Sequence, residues 1–285
     1  MAFDEVSDFL KTPPWLDQHP EIQRRGIHLV RTLRPGTVFA TDQFKSPQTV
    51  VKIVDPSTEE ANILDSLQRD IACPASHVVP CDVVRSDKLL AIMPCLASIQ
   101  VLLINLKKLS NVLDVFDQLL EGVAYLHDRG IAHMDLCSHN VRAAFDREAA
   151  FDPRLKAYKL YIIDFDRSRK LDLKPGVQGA VALPETVCRH PNGITHLDPY
   201  SWDVYCAGIL FLEFLERVRR NKPLPCIVDR FAQWVVGDER GCSDVCRCRP
   251  TARRARQVLT FVRWVINASE RCNDIFSVVT AIRWR

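Results

Sequence analysis

The sequence lacks a long apolar run and a leading segment of the secretory kind. Its longest candidate run, 91–106, is interrupted by Pro94 and Asn105 among others. It falls short of the roughly 20 apolar residues that span a bilayer. Residues 1–5 are acidic and lack the basic-then-apolar pattern of a signal peptide. We therefore expect no membrane partner and an intracellular location, cytoplasmic or nuclear.

The sequence also has little net charge. Lys and Arg number 38 against 35 Asp and Glu, which gives a formal charge of +3. No strong electrostatic field is available to attract a polyanion, so we expect no nucleic-acid partner. Five arginines between 247 and 256 form a local exception. Their spacing is typical of a solvated helix face and the segment that leads into it.

The 11 cysteines do not indicate a disulfide framework, because their number is odd and they are scattered from Cys73 to Cys272. Cys242, Cys246 and Cys248 are close together, but no histidine follows His196. A closed zinc site usually needs four ligands in paired spacing. We therefore predict free thiols here.

Strand patterns come first in the chain. Apolar or β-branched segments at 27–33, 37–40 and 49–54 are separated by turn-rich stretches, as in antiparallel strands. A helix start follows at 55–60, and two further strands are predicted at 77–84 and 89–93. The first 26 residues form a polar lead-in with one short helix.

Helical patterns dominate after residue 98. An amphipathic stripe runs from Val112 to Leu126 and ends near Gly130. Further helices are predicted at 199–217, 226–236 and 251–268. Strands that precede helices indicate a segregated α+β protein with two lobes.

One constellation of polar residues indicates chemistry. Asp135 stands five residues before Asn140, and Asp164 ends an apolar strand at 160–164. Phosphoryl transfer from a nucleotide needs a group that orients the attacking hydroxyl and oxygen ligands that hold Mg²⁺ against the phosphates. These three residues supply such groups.

The same residues resemble motifs of the eukaryotic-type protein kinase family. His133-Met134-Asp135-Leu136 with Asn140 resembles the catalytic loop, and Asp164-Phe165-Asp166 resembles the metal-binding motif. The resemblance implies that Asp135 accepts or orients the substrate hydroxyl proton and that Asn140 and Asp164 hold the metal ions. In the family the histidine is a packing residue, so we assign His133 no chemical role.

Lys52 stands within the apolar strand 49–54, where a lysine either reaches the surface or faces an anion. It resembles the family's strand lysine, which contacts the α- and β-phosphates. Glu60 resembles the helix glutamate that pairs with that lysine. The alternative for Glu60 is a capping box with Ser57, which has the required spacing.

The resemblance covers roughly residues 27–268 and implies a bilobal fold. A small antiparallel sheet with one helix would form an N-lobe at 27–94, after the lead-in 1–26, and a mainly helical C-lobe would span 95–285. By resemblance, Gly36 and Val38 belong to the phosphate-covering segment. Met93 is the gatekeeper, and Cys95 belongs to the hinge that contacts the adenine.

Later segments resemble structural motifs of the family. Leu183-Pro184-Glu185 resembles the end of the activation segment, and the resemblance implies that Arg249 pairs with Glu185. Asp203 would anchor the catalytic loop. The residues around Trp202 are similar to those of divergent fungal protein kinases.

The sequence departs from the family pattern at several positions. Arg31 and Leu33 replace two of the three glycines of the phosphate-covering loop, which puts tight phosphate binding in doubt. Asp166 replaces the glycine after Phe165. Met134 replaces the arginine before the catalytic Asp, and Cys137 replaces a lysine that many Ser/Thr kinases place near the transferred phosphate.

We therefore interpret the chain as a protein kinase, Ser/Thr-directed, that uses ATP and Mg²⁺. Two alternatives stay open at this stage. A pseudokinase would keep the fold as a binding or scaffolding module, in line with the altered glycine loop and Cys137. A small-molecule phosphotransferase of the aminoglycoside or choline kinase kind would tolerate Asp166. The sequence names neither a protein substrate nor an oligomeric state.

Overall fold

The computed structural model describes residues 11–104, 106, 108–220, 223–238 and 245–283, without the side chains of 192 and 273–283. Residues 1–10 of the predicted lead-in and Cys242 of the cysteine cluster lie outside the described residues. The chain forms two compact units. Unit 1 comprises residues up to Ile99 together with His139–Lys170, and unit 2 comprises Gln100–Ser138 together with Leu171–Arg285. The boundaries expected from the sequence, 1–26, 27–94 and 95–285, stay a prediction.

The described elements follow one another in a fixed order. The helices are α1 (Pro14–Asp17), α2 (Pro20–Arg24), α3 (Glu60–Gln68), α4 (Ile99–Ile104), α5 (Leu109–Asp128), α6 (Asp146–Phe151), α7 (Pro199–Arg219), α8 (Cys226–Val236) and α9 (Ala252–Arg283). The strands are β1 (Arg31–Arg34), β2 (Val38–Ala40), β3 (Thr49–Val54), β4 (Asp82–Arg85), β5 (Leu89–Pro94), β6 (Ala97–Ser98), β7 (Ile131–Ala132), β8 (Val141–Ala143), β9 (Leu160–Ile162), β10 (Arg169–Lys170), β11 (Val181–Ala182) and β12 (His196–Leu197).

Unit 1 is built on a five-stranded antiparallel sheet in the order β1-β2-β3-β5-β4. Phe39, Val51 and Leu90 form its core. Leu16 and Ile22, from the two short helices of the lead-in, are fully buried in the same cluster. The lead-in therefore has two short helices in place of the one expected, and it is not merely polar, because Leu16 and Ile22 lose their contact with water in the core of the sheet.

Helix α3 follows the sheet strand β3 and buries one face. Ile63, Leu64 and Leu67 are all buried, at the spacing of one helical stripe. A second sheet of unit 1 has the order β6-β8-β9. The polar segment that joins β8 to β9 contains the short helix α6. Of the predicted strand 77–84, the structure forms β4 and a single bridge from Val78 to Ile162.

Unit 2 is mainly helical. Phe116 of α5 stacks on Phe211 of α7 with ring centroids 4.0 Å apart, and Phe231 of α8 meets both rings edge-on. These aromatic contacts and the burial of apolar surface stabilise the packing of the three helices around one core.

Of the five arginines between 247 and 256, Arg247, Arg253 and Arg254 are exposed, as expected for a solvated face, whereas Arg256 is half-buried and Arg249 is buried. Arg256 of α9 lies 2.8 Å from Glu121 and 3.2 Å from Asp117, both on α5. Arg253 lies 2.6 Å from Asp128 at the end of α5. The spacing of the arginines along the chain could not predict these partners, because the carboxylates lie on a different helix.

The described chain is thus α+β with a small antiparallel sheet and extensive helices, which confirms the predicted fold class at this level. None of its described helices is both long enough and apolar enough to cross a membrane.

Candidate functional site

Lys52 is the centre of a buried ionic cluster in unit 1. It lies in β3, where it pairs with Val38 on one side and Ala91 on the other. Its side chain is 9% exposed, and its Nζ atom lies 2.7 Å from Oε1 of Glu60. The same amine forms an ion pair with Asp164. A buried ammonium group needs such partners, because leaving water uncompensated would cost several kcal/mol.

Glu60 begins helix α3 and is 2% exposed. Besides Lys52, its Oε1 atom accepts a hydrogen bond from the backbone N–H of Phe165 at 3.1 Å. The capping-box alternative is wrong in this structure, since the N-cap of α3 is Glu59 and the backbone N–H of Glu60 donates to Oγ1 of Thr58 at 3.4 Å, not to Ser57. Glu60 therefore links α3 to the strand lysine and to the segment that follows β9.

The charges of this cluster shift its pKa values. Burial by itself lowers the pKa of Lys52, but Asp164 and Glu60 together outweigh it and raise the pKa. Burial raises the pKa of Glu60, and the charges of Asp164 and Asp166 add to this against the effect of Lys52. Lys52 is therefore held in its charged form by an excess of acidic neighbours.

Asp164 and Asn140 are brought together by the β8–β9 hairpin. Asn140 immediately precedes β8, and its carbonyl accepts the N–H of Ile163 at 3.0 Å. Asp164 has a positive φ of 66°, a conformation that costs a non-glycine residue of order 1 kcal/mol. Both side chains line one cavity of unit 1.

This cavity has a volume of about 470 Å³. Its apolar lining comes from Leu33, Val38, Val50, Met93, Pro94, Leu96 and Ile163, beside Cys95. Val38, Met93 and Cys95 had been expected at a nucleotide site. Gly36 is not among the lining residues: with φ of 71° it occupies the turn between β1 and β2.

The oxygen atoms around Asp164 suit a divalent cation such as Mg²⁺. Asp164 and Asn140 provide a carboxylate and an amide oxygen, and Oδ1 of Asp166 is buried without a hydrogen-bond partner among the described residues. The described part of the chain contains no group of three or more His, Cys, Asp or Glu arranged to hold a metal. The donor set still fits Mg²⁺, because this ion usually takes one or two carboxylates and completes its shell with water and substrate phosphates.

Five lining residues were not expected at the site: Arg34, Val50, His139, Arg142 and Ile163. For Arg142 the sequence held a signal. Asn140 and Arg142 are two residues apart at the start of β8, and side chains two apart on a strand face the same side. A cavity-lining Asn140 thus predicts a cavity-lining Arg142.

The loop that carries Asp135 belongs to unit 2 and is fixed by Asp203. The Asp203 carboxylate is 0% exposed and accepts the N–H groups of His133 at 2.7 Å and Met134 at 2.8 Å. His127 also lies 3.0 Å from Asp203, and the indole of Trp202 donates to the carbonyl of Met134 at 2.9 Å. Charge-assisted hydrogen bonds of this kind hold the loop backbone in place.

Asp135 itself is half-buried at the end of this loop. Its backbone N–H donates to Nδ1 of the fully buried His133 at 3.3 Å. Met134, which precedes it, has a positive φ of 66°. The hydrogen bonds to Asp203 offset the strain of this conformation and so set the direction in which the chain leaves Met134.

The expected pair between Arg249 and Glu185 is not formed, which corrects that expectation. Glu185 is exposed. Arg249 is 7% exposed, donates to the carbonyl of Val236, approaches Sγ of Cys246 at 3.7 Å and lies over the ring of Tyr205 at 5.0 Å. Burial lowers the pKa of Arg249 to about 10.

Comparison with known proteins gives one distant relative to report. No family model matches the chain. The chain is similar to a protein of Acanthamoeba polyphaga mimivirus described as a putative serine/threonine-protein kinase. The two are 24% identical over 215 residues, which cover 66% of this chain and 70% of the viral protein. This likeness suggests a kinase-like domain, and it lends no support to the resemblance to fungal kinases.

Proposed function

We propose that this protein is an ATP-dependent protein kinase that transfers the γ-phosphate to a serine or threonine hydroxyl of a protein substrate. The observation that carries the proposal is the position of Lys52. Its amine lies between Glu60 and Asp164, in a cavity that Asn140 also lines. The similarity to a viral protein described as a putative serine/threonine-protein kinase supports the same proposal.

In this proposal the phosphates of ATP lie at the Lys52 end of the cavity. Lys52 contacts the α- and β-phosphates, and Glu60 keeps its amine in place. The adenine lies among the apolar residues near Met93 and Cys95.

Asn140 and Asp164 would hold Mg²⁺, with Asp166 as a further oxygen donor. When bound, the ion would neutralise charge on the β- and γ-phosphates. Asp135 orients the substrate hydroxyl and accepts its proton, from a loop fixed by Asp203.

The first experiment measures nucleotide binding by thermal shift with and without Mg²⁺. We expect ATP to raise the melting temperature in a Mg²⁺-dependent way for the wild type and not for Lys52→Met or Asp164→Asn. Lys45→Met, which removes an exposed lysine, is the matched control and should keep the wild-type response. A wild type that does not respond to millimolar Mg-ATP contradicts the proposal.

The second experiment measures transfer of radiolabelled phosphate to a panel of proteins and peptides that contain Ser, Thr or Tyr. Incorporation into Ser or Thr supports the assignment. Aminoglycosides and choline belong in the same screen, and transfer to one of them instead of to protein would overturn it.

A pseudokinase is the second candidate function. It is favoured by the side chains of Arg31 and Leu33 at two of the glycine positions of the phosphate-covering loop, and by the buried Cys137 in place of a lysine. Binding of nucleotide without transfer to any acceptor would support this candidate over the first.

A further inference from the structure

Two thiols of unit 2 are in contact with each other. Sγ of Cys246 lies 3.5 Å from Sγ of Cys248, and neither cysteine forms a disulfide in this structure. A disulfide bond between two cysteines is about 2.05 Å long. The two sulfur atoms therefore need to approach each other by only about 1.5 Å to reach bonding distance.

The backbone that carries these thiols belongs to the connection between α8 and α9. Residues 245–251 form neither helix nor strand. Arg247, between the two cysteines, is exposed, whereas Cys246 is buried and Cys248 is half-buried. Alternating exposure of this kind is typical of an extended chain, in which residues two apart face the same side. The two thiols can therefore be joined without breaking a helix or a strand ladder.

The two thiols differ in their surroundings. Cys246 is 9% exposed, and its Sγ atom lies 3.7 Å from Nη1 of Arg249. A guanidinium charge stabilises a thiolate beside it, and the thiolate is the form that attacks a disulfide. A reagent in solution thus reaches Cys248 more readily, and Cys246 lies where it can attack the sulfur atom of Cys248.

Packing at the end of α8 holds this arrangement in place. Gly237 follows the helix with a φ of 76°, and a Cβ atom at this position would lie 3.2 Å from Sγ of Cys248 and 2.6 Å from Cγ of Arg249. Arg249 also donates to the carbonyl of Val236 and lies 5.0 Å from the ring centroid of Tyr205. Because Cys248 and Arg249 pack against a glycine backbone, the contact between the thiols does not depend on a side chain that moves freely in solvent.

We propose that Cys246 and Cys248 form a redox modification site, at which a low-molecular-weight disulfide such as oxidised glutathione converts the two thiols into an internal disulfide. The site lies in unit 2 and uses no residue of the nucleotide cavity of unit 1. It therefore does not depend on the proposed function.

The reaction consists of two thiol–disulfide exchanges. The thiolate of Cys248 attacks one sulfur atom of oxidised glutathione, forms a mixed disulfide and releases one glutathione thiolate. The thiolate of Cys246 then attacks Sγ of Cys248 and releases the second glutathione. The two cysteines lose two electrons and two protons in total, and oxidised glutathione takes them up to become two molecules of reduced glutathione.

The test maps disulfides in the wild-type protein after equilibration with reduced and oxidised glutathione. Remaining thiols are blocked with N-ethylmaleimide. Trypsin and a protease that cleaves before aspartate then isolate residues 244–253, which contain Cys246 and Cys248 and exclude Cys242. We expect mass spectrometry to find this fragment without maleimide or glutathione and two hydrogen atoms short of its reduced form. Dithiothreitol should restore both thiols.

Two serine variants separate the roles of the two thiols. Cys246→Ser should retain glutathione on Cys248, because no second thiol releases it. Cys248→Ser should leave the buried Cys246 without glutathione, because the oxidant does not reach it from solvent. Cys226→Ser is the control: it removes an exposed thiol of the same unit and should keep the internal disulfide.

Three results in the wild type would overturn the proposal. Cys248 could carry glutathione without an internal disulfide, either cysteine could be joined to another such as Cys242, or both could stay reduced while the exposed Cys226 is modified. The mapping of the wild type needs no variant that folds, and each of these results leaves the proposed function untouched.

Discussion

The amine of Lys52 lies 2.7 Å from the carboxylate of Glu60, two residues that are eight positions apart in the chain. The short segment between β3 and α3 is enough to bring them together, because the helix begins at Glu60 itself. This contact distinguishes the two roles that the sequence left open for Glu60, the ion pair with Lys52 and the capping box with Ser57. The carboxylate faces the strand lysine and the backbone of Phe165, so it does not cap its own helix.

Replacement of Glu60 by alanine should destabilise unit 1. The change removes a partner of the buried Lys52 amine and an acceptor of the Phe165 N–H, at an expected cost of about 2–4 kcal/mol in the free energy of unfolding. Urea unfolding monitored by fluorescence would measure it. Asp87, which is exposed in the same unit, provides the control Asp87→Ala, with an expected loss below about 1 kcal/mol. Equal losses for the two variants would contradict the role given to the Lys52 contact.

Replacement of Asp135 by asparagine should separate binding from transfer. If Asp135 accepts the hydroxyl proton, kcat for phosphate transfer should fall by about 10²- to 10⁴-fold while the affinity for Mg-ATP changes little. Asparagine keeps the size of the side chain and removes its basicity. Kinetics with the best acceptor from the substrate screen, beside calorimetric titration with nucleotide, measure the two quantities. A variant with wild-type kcat would show that Asp135 is not the base.

Replacement of Asp203 by alanine should destabilise unit 2 strongly. The backbone N–H groups of His133 and Met134 would lose their acceptor inside the protein, which predicts a loss of about 3–5 kcal/mol. Chemical unfolding monitored by circular dichroism would measure the loss. Asp229→Ala serves as control, since Asp229 forms a surface pair with Arg219 and should cost less than about 1 kcal/mol. A loss in Asp203→Ala no greater than in this control would refute the anchoring role.

Asp198, the N-cap of α7, should make stability depend on pH. Burial raises its pKa to about 6 from an ordinary value of 3.8. A carboxyl group with a raised pKa in the folded state binds its proton more tightly there than in the unfolded chain. Its contribution to stability is therefore present in full below pH 3.8 and is lost as the pH rises through about 6.

The variant Asp198→Asn keeps an oxygen acceptor for the N–H of Tyr200 and has no charge. Relative to the wild type, it should gain about 2–3 kcal/mol of stability between pH 4 and pH 7.5, from a shift of roughly two pKa units. Urea midpoints at four pH values would test this. Asp152→Asn is the control of opposite sign, because Arg154 outweighs the effect of burial and lowers the pKa of Asp152. A difference between wild type and Asp198→Asn that stays constant with pH would contradict the prediction.

The secondary structure was predictable where one periodicity covered an entire element. β3 spans Thr49–Val54 and α8 spans Cys226–Val236, the ranges that the sequence indicated. The strand expected at 27–33 begins only at Arg31, where the pairing with β2 starts. Residues 27–30 follow the lead-in helices, and their apolar character alone does not show that they precede the paired strand. The short helix α6 was missed, since a polar segment of six residues has no apolar stripe to mark it.

The sequence by itself determined the order of strands and helices, the α+β class and the residue types that phosphoryl transfer would need. These depend on local periodicity and composition, which are read along a single segment. Only the tertiary structure decided which groups meet. Lys52 and Asp164 are 112 positions apart, Arg249 turns to Cys246 and Tyr205 instead of Glu185, and Arg31 and Arg142 line one cavity. Such contacts depend on strand register and on the burial of charge, and both are set by the packing of segments that are distant in the chain.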